Sequence, residues 1–355
     1  MFSPTTILFA LAFFVNSFVA ASPPPSNEAQ ALKYYGYRQE NRFNCSMGLQ
    51  QRREWRTLSN PEKADYISAV KCLQAHPSRD PAIPEARTRF DEFQAHHIMI
   101  ADKVHNLGQF LPWHRHYLRS YEKALRNECG YNGSFPYWDW TQDVGPNKTF
   151  ADSPVYDPVH GFGGNGAIGT YTLPQANDTD NRIFPEAFRG CVVDGPFANL
   201  TLSVGPGKLV TTHCLTRGDN EDAARKYLNA AAEANVTRSA NFEVFRVEIE
   251  GEPVTSDHRM HDGGHDAIGG EMSNFYSSPG EPLFYLHHAN LDRIWWKWQS
   301  SAPSRVYEIS GPSSKEDPSE QVTLDFILLM GSLGPSVTIR DVMDIHAEPN
   351  CYTYV

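Results

Sequence analysis

Hydrophobic side chains recur at spacings of three and four along several parts of the chain, which is the period of an amphipathic helix. An alternating run from Phe242 to Ile249 instead predicts a strand. Residues 141–220 are rich in Gly, Pro, Asn and Asp and predict long loops with few short strands. The expected fold class is therefore mainly α, a helix bundle with long irregular connections. The helical segments are predicted from Ser59 to about Leu73 and over residues 85–104, 113–127, 221–234 and 283–299.

Histidines lie within the apolar stripes of these predicted helices. His97 belongs to the stripe of the segment 85–104, whereas its neighbour His96 falls on the polar side. His114 belongs to the stripe of the next segment and His116 does not, and His105 lies on the connecting loop. A single histidine within an apolar stripe is usually an ordinary core residue, so only the whole set of histidines indicates a metal site. Two inward histidines and one on the joining loop predict convergence on one metal ion.

The second half of the chain has a similar arrangement. His261 and His265 are four residues apart and share one helix face, although the two glycines between them disfavour a long helix. His288 lies in the stripe of segment 283–299, but periodicity separates it only weakly from His287. Asp292, four residues later, is placed to accept a hydrogen bond from a ligand imidazole. Two groups of three histidines predict a dinuclear site, and imidazole ligands leave Cu, Zn, Fe and Ni open.

Longer motifs surround these histidines. The motifs are FLPWHR at 110–115, PYWDW at 136–140, HxxxH at 261–265 with GGxM at 269–272, and FYLHHxxxDR at 284–293. They resemble those of the tyrosinases and catechol oxidases, which are type 3 copper proteins, and the likeness covers roughly residues 45–354.

The resemblance implies a four-helix bundle that holds two copper ions, with O₂ as co-substrate. His97, His105 and His114 would bind one copper, and His261, His265 and His288 the other. This choice of the second histidine in the His287-His288 pair comes from the family and not from periodicity.

Three further residues take roles from the same resemblance. Glu250 occupies the position of a carboxylate that holds a catalytic water, and Phe275 that of a gate over the first copper. Asp262 stands where efficient tyrosinases often have Asn, and its charge would either repel carboxylated substrates or accept a proton. Lys103 stands where many fungal tyrosinases have a Cys linked to a ligand histidine, so that thioether cannot form here.

The expected function is a secreted polyphenol oxidase that turns o-diphenols into o-quinones, with weak hydroxylation of monophenols. The alternatives are a true tyrosinase, a tyrosinase-like enzyme of secondary metabolism, a haemocyanin-like O₂ carrier and a mononuclear zinc hydrolase. The expected partners are small phenols. A net charge of −11 argues against nucleic acid or an anionic membrane as a partner.

The termini and cysteines suggest an exported protein. Residues 1–21 resemble a signal peptide, 22–44 a leader, and 45–355 one catalytic domain, with no C-terminal cover domain expected. Six cysteines predict three disulfides, of which Cys191–Cys214 would close a local loop and the other four cysteines allow three pairings. Sequons for N-glycans occur at Asn44, Asn132, Asn147, Asn177, Asn199 and Asn235.

Overall fold

The computed structural model describes residue 45 and residues 48–175 and 178–355. The predicted signal peptide and leader, together with the sequons at Asn44 and Asn177, lie outside these residues. The helices are α1 Asn60–Ala75, α2 Arg89–Val104, α3 Phe110–Cys129, α4 Asp178–Asn181, α5 Glu221–Tyr227, α6 Ala230–Thr237, α7 Phe242–Glu250, α8 Met260–Ile268, α9 Leu283–Ser300 and α10 Ile339–Met343. Among the described residues, none of the helices combines the length and apolar character needed to cross a bilayer.

Helix α1 begins where the sequence predicts it. Ser59 accepts a hydrogen bond from the backbone of Glu62, and Glu62 accepts one from the backbone of Ser59 in return. Helix α2 begins four residues later than predicted, because Thr88 and Asp91 form the same reciprocal cap. Helix α9 matches its prediction to within one residue. The mainly α fold is confirmed.

The strands are few and short, as predicted for the loop-rich region. The strands are β1 Gln50–Arg52, β2 Ala167–Ile168, β3 Gly190–Cys191, β4 Thr201–Leu202, β5 His213–Cys214, β6 Thr216–Arg217, β7 Ile327–Leu328, β8 Val337–Thr338 and β9 Tyr352–Tyr354. β2, β3 and β6 form one small sheet, and β4–β5 and β7–β8 form antiparallel pairs, whereas β1 pairs with β9 in parallel.

The strand predicted over Phe242 to Ile249 is wrong, because this segment is helix α7. Asn241 caps it by accepting a hydrogen bond from the backbone of Val244 at 3.0 Å. Phe242, Phe245 and Ile249 are fully buried and follow helical spacing. Tertiary burial of this stripe outweighs the strand propensity of the β-branched and aromatic residues.

Helices α2, α3, α8 and α9 pack together and carry the histidines. Aromatic rings fill the space between them. Tyr121 of α3 stacks on Tyr285 of α9 with ring centroids 3.6 Å apart, and Phe93 of α2 meets Tyr121 edge to face at 5.1 Å. This rigid aromatic layer holds the inward faces of the four helices in register.

A buried ion network ties the end of the chain to this bundle. Asp292 accepts hydrogen bonds from Arg115 Nε at 2.5 Å and from the hydroxyls of Tyr352 and Tyr354 at 2.7 and 2.5 Å. Its predicted hydrogen bond to a ligand imidazole is wrong, because the carboxylate is directed at these groups and at Arg52. The three disulfides are Cys45–Cys351, Cys72–Cys129 and Cys191–Cys214.

Candidate metal centre

The six histidines form two groups at the centre of the bundle. Within each group the potential ligand nitrogens lie within 4.8 Å of one another. The groups face each other, since the His114 and His288 rings stack at 4.5 Å and the His105 and His261 rings lie 5.8 Å apart. One group is His97, His105 and His114, and the other is His261, His265 and His288.

Backbone carbonyls fix which nitrogen of each ring is free. In five of the six histidines Nδ1 donates to a carbonyl oxygen, which can only accept, so Nδ1 carries the proton and Nε2 the lone pair. The distances run from 2.6 Å for His97 to 3.1 Å for His261. The acceptors for His97, His105, His114, His261 and His265 are the carbonyls of Tyr276, Ala101, Phe110, Glu250 and Met272.

The Nε2 atoms are suited to a metal ion. Those of His97, His114 and His261 are buried with no hydrogen-bond partner among the described residues. Nε2 of His265 lies 3.2 Å from Nε2 of His288, so these two candidate ligand atoms converge. Burial lowers the pKa of His97 to about 3 and that of His265 to about 4, so both rings are neutral at pH 7. Neutral, converging imidazoles fit copper well.

His287 has a different position from His288. Its Nδ1 accepts from Trp140 Nε1 and its Nε2 donates to the carbonyl of His261, both at 3.1 Å. Both ring nitrogens are therefore used, and His287 supports a neighbouring candidate ligand from behind.

His96 and His116 were predicted to lie on the polar side of their helices, and this is wrong because both side chains are buried. Neither residue belongs to the two histidine groups. His96 stacks on Trp113, and Nε2 of His116 donates to the carbonyl of Pro335 at 2.9 Å. The segment that follows α9 covers this face, so burial lowers the pKa of each ring to about 4.

Glu250 is buried, and its backbone carbonyl accepts a hydrogen bond from His261 of the second group. Its Oε1 accepts from the backbone of Asn106, and its Oε2 has no hydrogen-bond partner within the described part of the chain. Burial is the main reason why the pKa of Glu250 rises to about 8. The carboxyl is thus mostly protonated at pH 7 when no metal is bound, and its water-holding role stays a prediction.

Asp262 has no lone pair left for proton transfer. Oδ1 accepts from the backbone of Arg259 and Gly263, and Oδ2 from the backbone of Glu252 and Nδ1 of His258. A carboxylate has about four acceptor directions, and all four are used. The geometry favours a cap on α8 over the proton-acceptor role.

Phe275 lies beside the first group and next to an open cavity. Its ring centroid is 4.8 Å from that of His105, and the Arg182 guanidinium lies 4.0 Å over the same ring. The cavity has a volume of about 640 Å³, and His105, His261, His265 and Phe275 are part of its wall. The cavity therefore borders both groups of histidines, with Phe275 in its wall beside His105, and the gate role of Phe275 stays a prediction.

Comparisons with known proteins agree with this centre. The family model described as the common central domain of tyrosinase matches residues 87–301. The tyrosinase-like protein phomQ1 of Diaporthe leptostromiformis is 37% identical, covering 85% of this chain and 77% of that protein. N-acetyl-6-hydroxytryptophan oxidase ivoB of Emericella nidulans is 33% identical, with 85% and 91% covered.

A solved structure supports the same relationship. A mutant form of the polyphenol oxidase from Thermothelomyces thermophila superposes with a TM-score of 0.74 and is 34% identical, covering 87% of this chain and 90% of that one. The family implies dinuclear copper binding, and the two histidine groups supply suitable ligands. This chain belongs to the tyrosinase family of type 3 copper oxidases.

Proposed function

We propose that this chain oxidises o-diphenols to o-quinones with O₂, with weak activity on monophenols. The observation that carries the proposal is the cavity of about 640 Å³ that reaches His105, His261 and His265. An O₂ carrier of the haemocyanin kind needs no such opening for an aromatic substrate. The reaction balances when two catechols each lose two electrons and two protons, and one O₂ is reduced to two waters.

The roles of the residues follow from their contacts. Bound copper would supply the electron transfer between the phenol and O₂. The six histidines hold the metals, with His97, His105 and His114 proposed for one ion and His261, His265 and His288 for the other. The chain itself fixes the imidazole orientations through its carbonyls and narrows the path to the first group with Phe275.

Steric restriction by Phe275 is the reason for expecting weak monophenol activity. A monophenol must bring its oxygen close to the metal before hydroxylation, and the ring beside His105 obstructs this approach. Asp262 adds little to that argument, because its oxygens are already hydrogen-bonded.

The test is a steady-state comparison of 4-methylcatechol with phenol and tyrosol, after copper analysis of the purified protein. We expect two coppers per chain and a higher kcat/KM for the catechol. Phe275→Ala should raise kcat/KM for monophenols, whereas Phe184→Ala, at an exposed part of the cavity wall, is the matched control. Equal kcat/KM for monophenol and diphenol in the wild type would refute the diphenol preference. One zinc per chain would refute the proposed dicopper oxidase.

A role in the modification of a larger natural product is the second candidate. It is favoured by the relative ivoB, whose name describes the oxidation of a hydroxylated indole. A cavity of this size accommodates an indole with a side chain. A screen of hydroxyindoles against simple catechols separates the two candidates.

Secretion with N-glycans remains our proposal for localisation. The described sequon residues Asn132, Asn147, Asn199 and Asn235 are all exposed. Expression in a eukaryotic secretory host should give a medium-borne protein whose mass falls on treatment with an amidase that removes N-glycans; an intracellular product of unchanged mass would contradict the proposal.

A further inference from the structure

We infer that the cavity selects its phenols by charge, taking catechols with a cationic amine in preference to catechols with a carboxylate. This inference rests on the proposed function and names the substrate class of the same site. The residues that support it surround the cavity between its opening and the histidines.

The wall of the cavity is strongly acidic. Seven carboxylate side chains contribute to it, and among the described residues that line it there is no Lys or Arg. Glu186 and Asp222 are exposed and form no ion pair within the described part of the chain. Asp266 accepts a hydrogen bond from the amide of Asn220 at 3.1 Å, which leaves its charge in place.

Local cations cancel only part of this charge. Glu221 pairs with Arg225 at 2.6 Å, and Asp262 pairs with His258 at 2.7 Å. Asp219 is partly buried, and burial raises its pKa to about 7. Glu186, Asp222 and Asp266 therefore line the cavity without a Lys or Arg partner within the described part of the chain.

The acidic wall leads to atoms that require a ligand. Nε2 of His261 is buried, has no hydrogen-bond partner among the described residues, and belongs to a side chain that lines the cavity. The charge thus surrounds a built binding site and is more than an acidic patch on the surface. A substrate that docks its ring at this end must pass the carboxylates.

Nearby cations do not line the same space. Arg182 and Lys315 lie over the Phe275 ring, at 4.0 and 5.5 Å from its centroid. Lys315 also shares Asp102 with Lys208, at 3.8 and 3.4 Å. These cations contact Phe275 or Asp102, and none of the three is among the residues that line the cavity.

A cleft lined by one sign of charge concentrates ligands of the opposite sign, by about tenfold or more. The carboxylates lie along the path and the metals at its end, so the effect should appear mainly in KM. Salt should weaken it, because the Debye length falls from about 30 Å at 0.01 M to about 3 Å at 1 M ionic strength.

The experiment compares three catechols with the copper-loaded protein at pH 7: 3,4-dihydroxyphenethylamine, 4-methylcatechol and 3,4-dihydroxyphenylacetate. At low salt we expect kcat/KM to be about tenfold higher for the amine than for the carboxylate, with the neutral catechol between them. High salt should bring the ratio close to one. A ratio of one at low salt, or a ratio that salt does not change, would overturn the inference.

Paired variants separate the cavity from the net charge of the protein. Glu186→Gln/Asp222→Asn should lower the amine-to-carboxylate ratio at least threefold, by the loss of two charges at the opening. Asp65→Asn/Glu320→Gln removes the same two charges from exposed positions outside the cavity wall and should leave the ratio unchanged. An equal effect of both double variants would assign the preference to overall charge and overturn the inference.

Binding without turnover keeps this test independent of the proposed function. Dissociation constants of 2-phenylethylamine and phenylacetate for the copper-free protein should show the same ranking and the same response to the variants. If 4-methylcatechol is not oxidised by the copper-loaded protein, the proposed function fails. If the two phenyl ligands bind equally at low salt, the charge selection fails.

Discussion

Replacing Gly264 by Ala tests how tightly α8 packs behind the metal centre. A Cβ at this position would lie 2.2 Å from Cε1 and 2.7 Å from Nδ1 of His287. The His287 ring is completely buried and is held by Trp140 on one nitrogen and by the carbonyl of His261 on the other. The ring therefore cannot move aside without breaking these hydrogen bonds.

Two opposing effects determine how this substitution changes the free energy of unfolding. Gly→Ala within a helix gains about 1 kcal/mol from helix propensity. Overpacking a core costs about 1–3 kcal/mol, and the two hydrogen bonds of the displaced ring contribute about 1 kcal/mol each. We expect Gly264→Ala to lower the free energy of unfolding by about 2–4 kcal/mol on these figures. Copper content should fall as well, because His287 supports the backbone of the candidate ligand His261.

Urea unfolding of the copper-free protein measures the stability change, and metal analysis of the copper-loaded protein measures the second effect. The control is the double variant Gly264→Ala/His287→Ala compared with His287→Ala alone. Without the ring, the alanine at 264 should cost nothing or gain up to about 1 kcal/mol. A stabilising Gly264→Ala in the wild-type background, or an unchanged cost without the ring, would refute the steric reasoning.

The remaining predictions concern other parts of the molecule. His114→Ala should lose copper and activity, whereas His116→Ala should keep both and lose only stability, which metal analysis and calorimetry will distinguish. Asp292→Asn should lower the free energy of unfolding by about 3 kcal/mol or more, because the buried Arg115 loses its carboxylate partner and Arg52 keeps only Glu122, and urea unfolding measures this loss. The hydrogen bond that His258 donates to Asp262 raises the pKa of His258 to about 8. The stabilisation from this bond is complete below the unfolded pKa of about 6.5 and disappears as pH rises through about 8, so His258→Gln should flatten the fall in Tm across this window. The denatured, unreduced protein should show no titratable thiol, and six free thiols would contradict the disulfides.

Local signals in the sequence predicted the parts of the fold that local physics determines. The cap at Ser59, the apolar stripe of α9 and the inward histidines all depend on spacing within one helix. The candidate ligand groups needed two further steps, namely that the stripes face a common core and that the resemblance to the family selects His288 over His287.

Long-range contacts explain what the sequence could not predict. The stripe of α7 is recognisable as helical only once its burial is known. His116 donates a hydrogen bond to the carbonyl of Pro335, and Asp292 accepts hydrogen bonds from tyrosines 60 and 62 residues away. The spacing of residues within a helix does not indicate which distant segment will cover its polar side. The same holds for the pairing of Cys45 with Cys351, since they are 306 residues apart.

The use of backbone carbonyls to orient the imidazoles has a consequence for how this protein can change over evolutionary time. Any amino acid supplies a carbonyl, so substitutions at Ala101, Phe110 or Met272 leave the acceptor for the ring in place. The hydrogen bonds that orient the imidazole rings are therefore independent of side-chain identity at these positions. The cavity wall has no such protection, because its properties depend on side chains such as Glu186 and Phe275. Substrate preference can therefore diverge among related chains while the centre that activates O₂ stays the same.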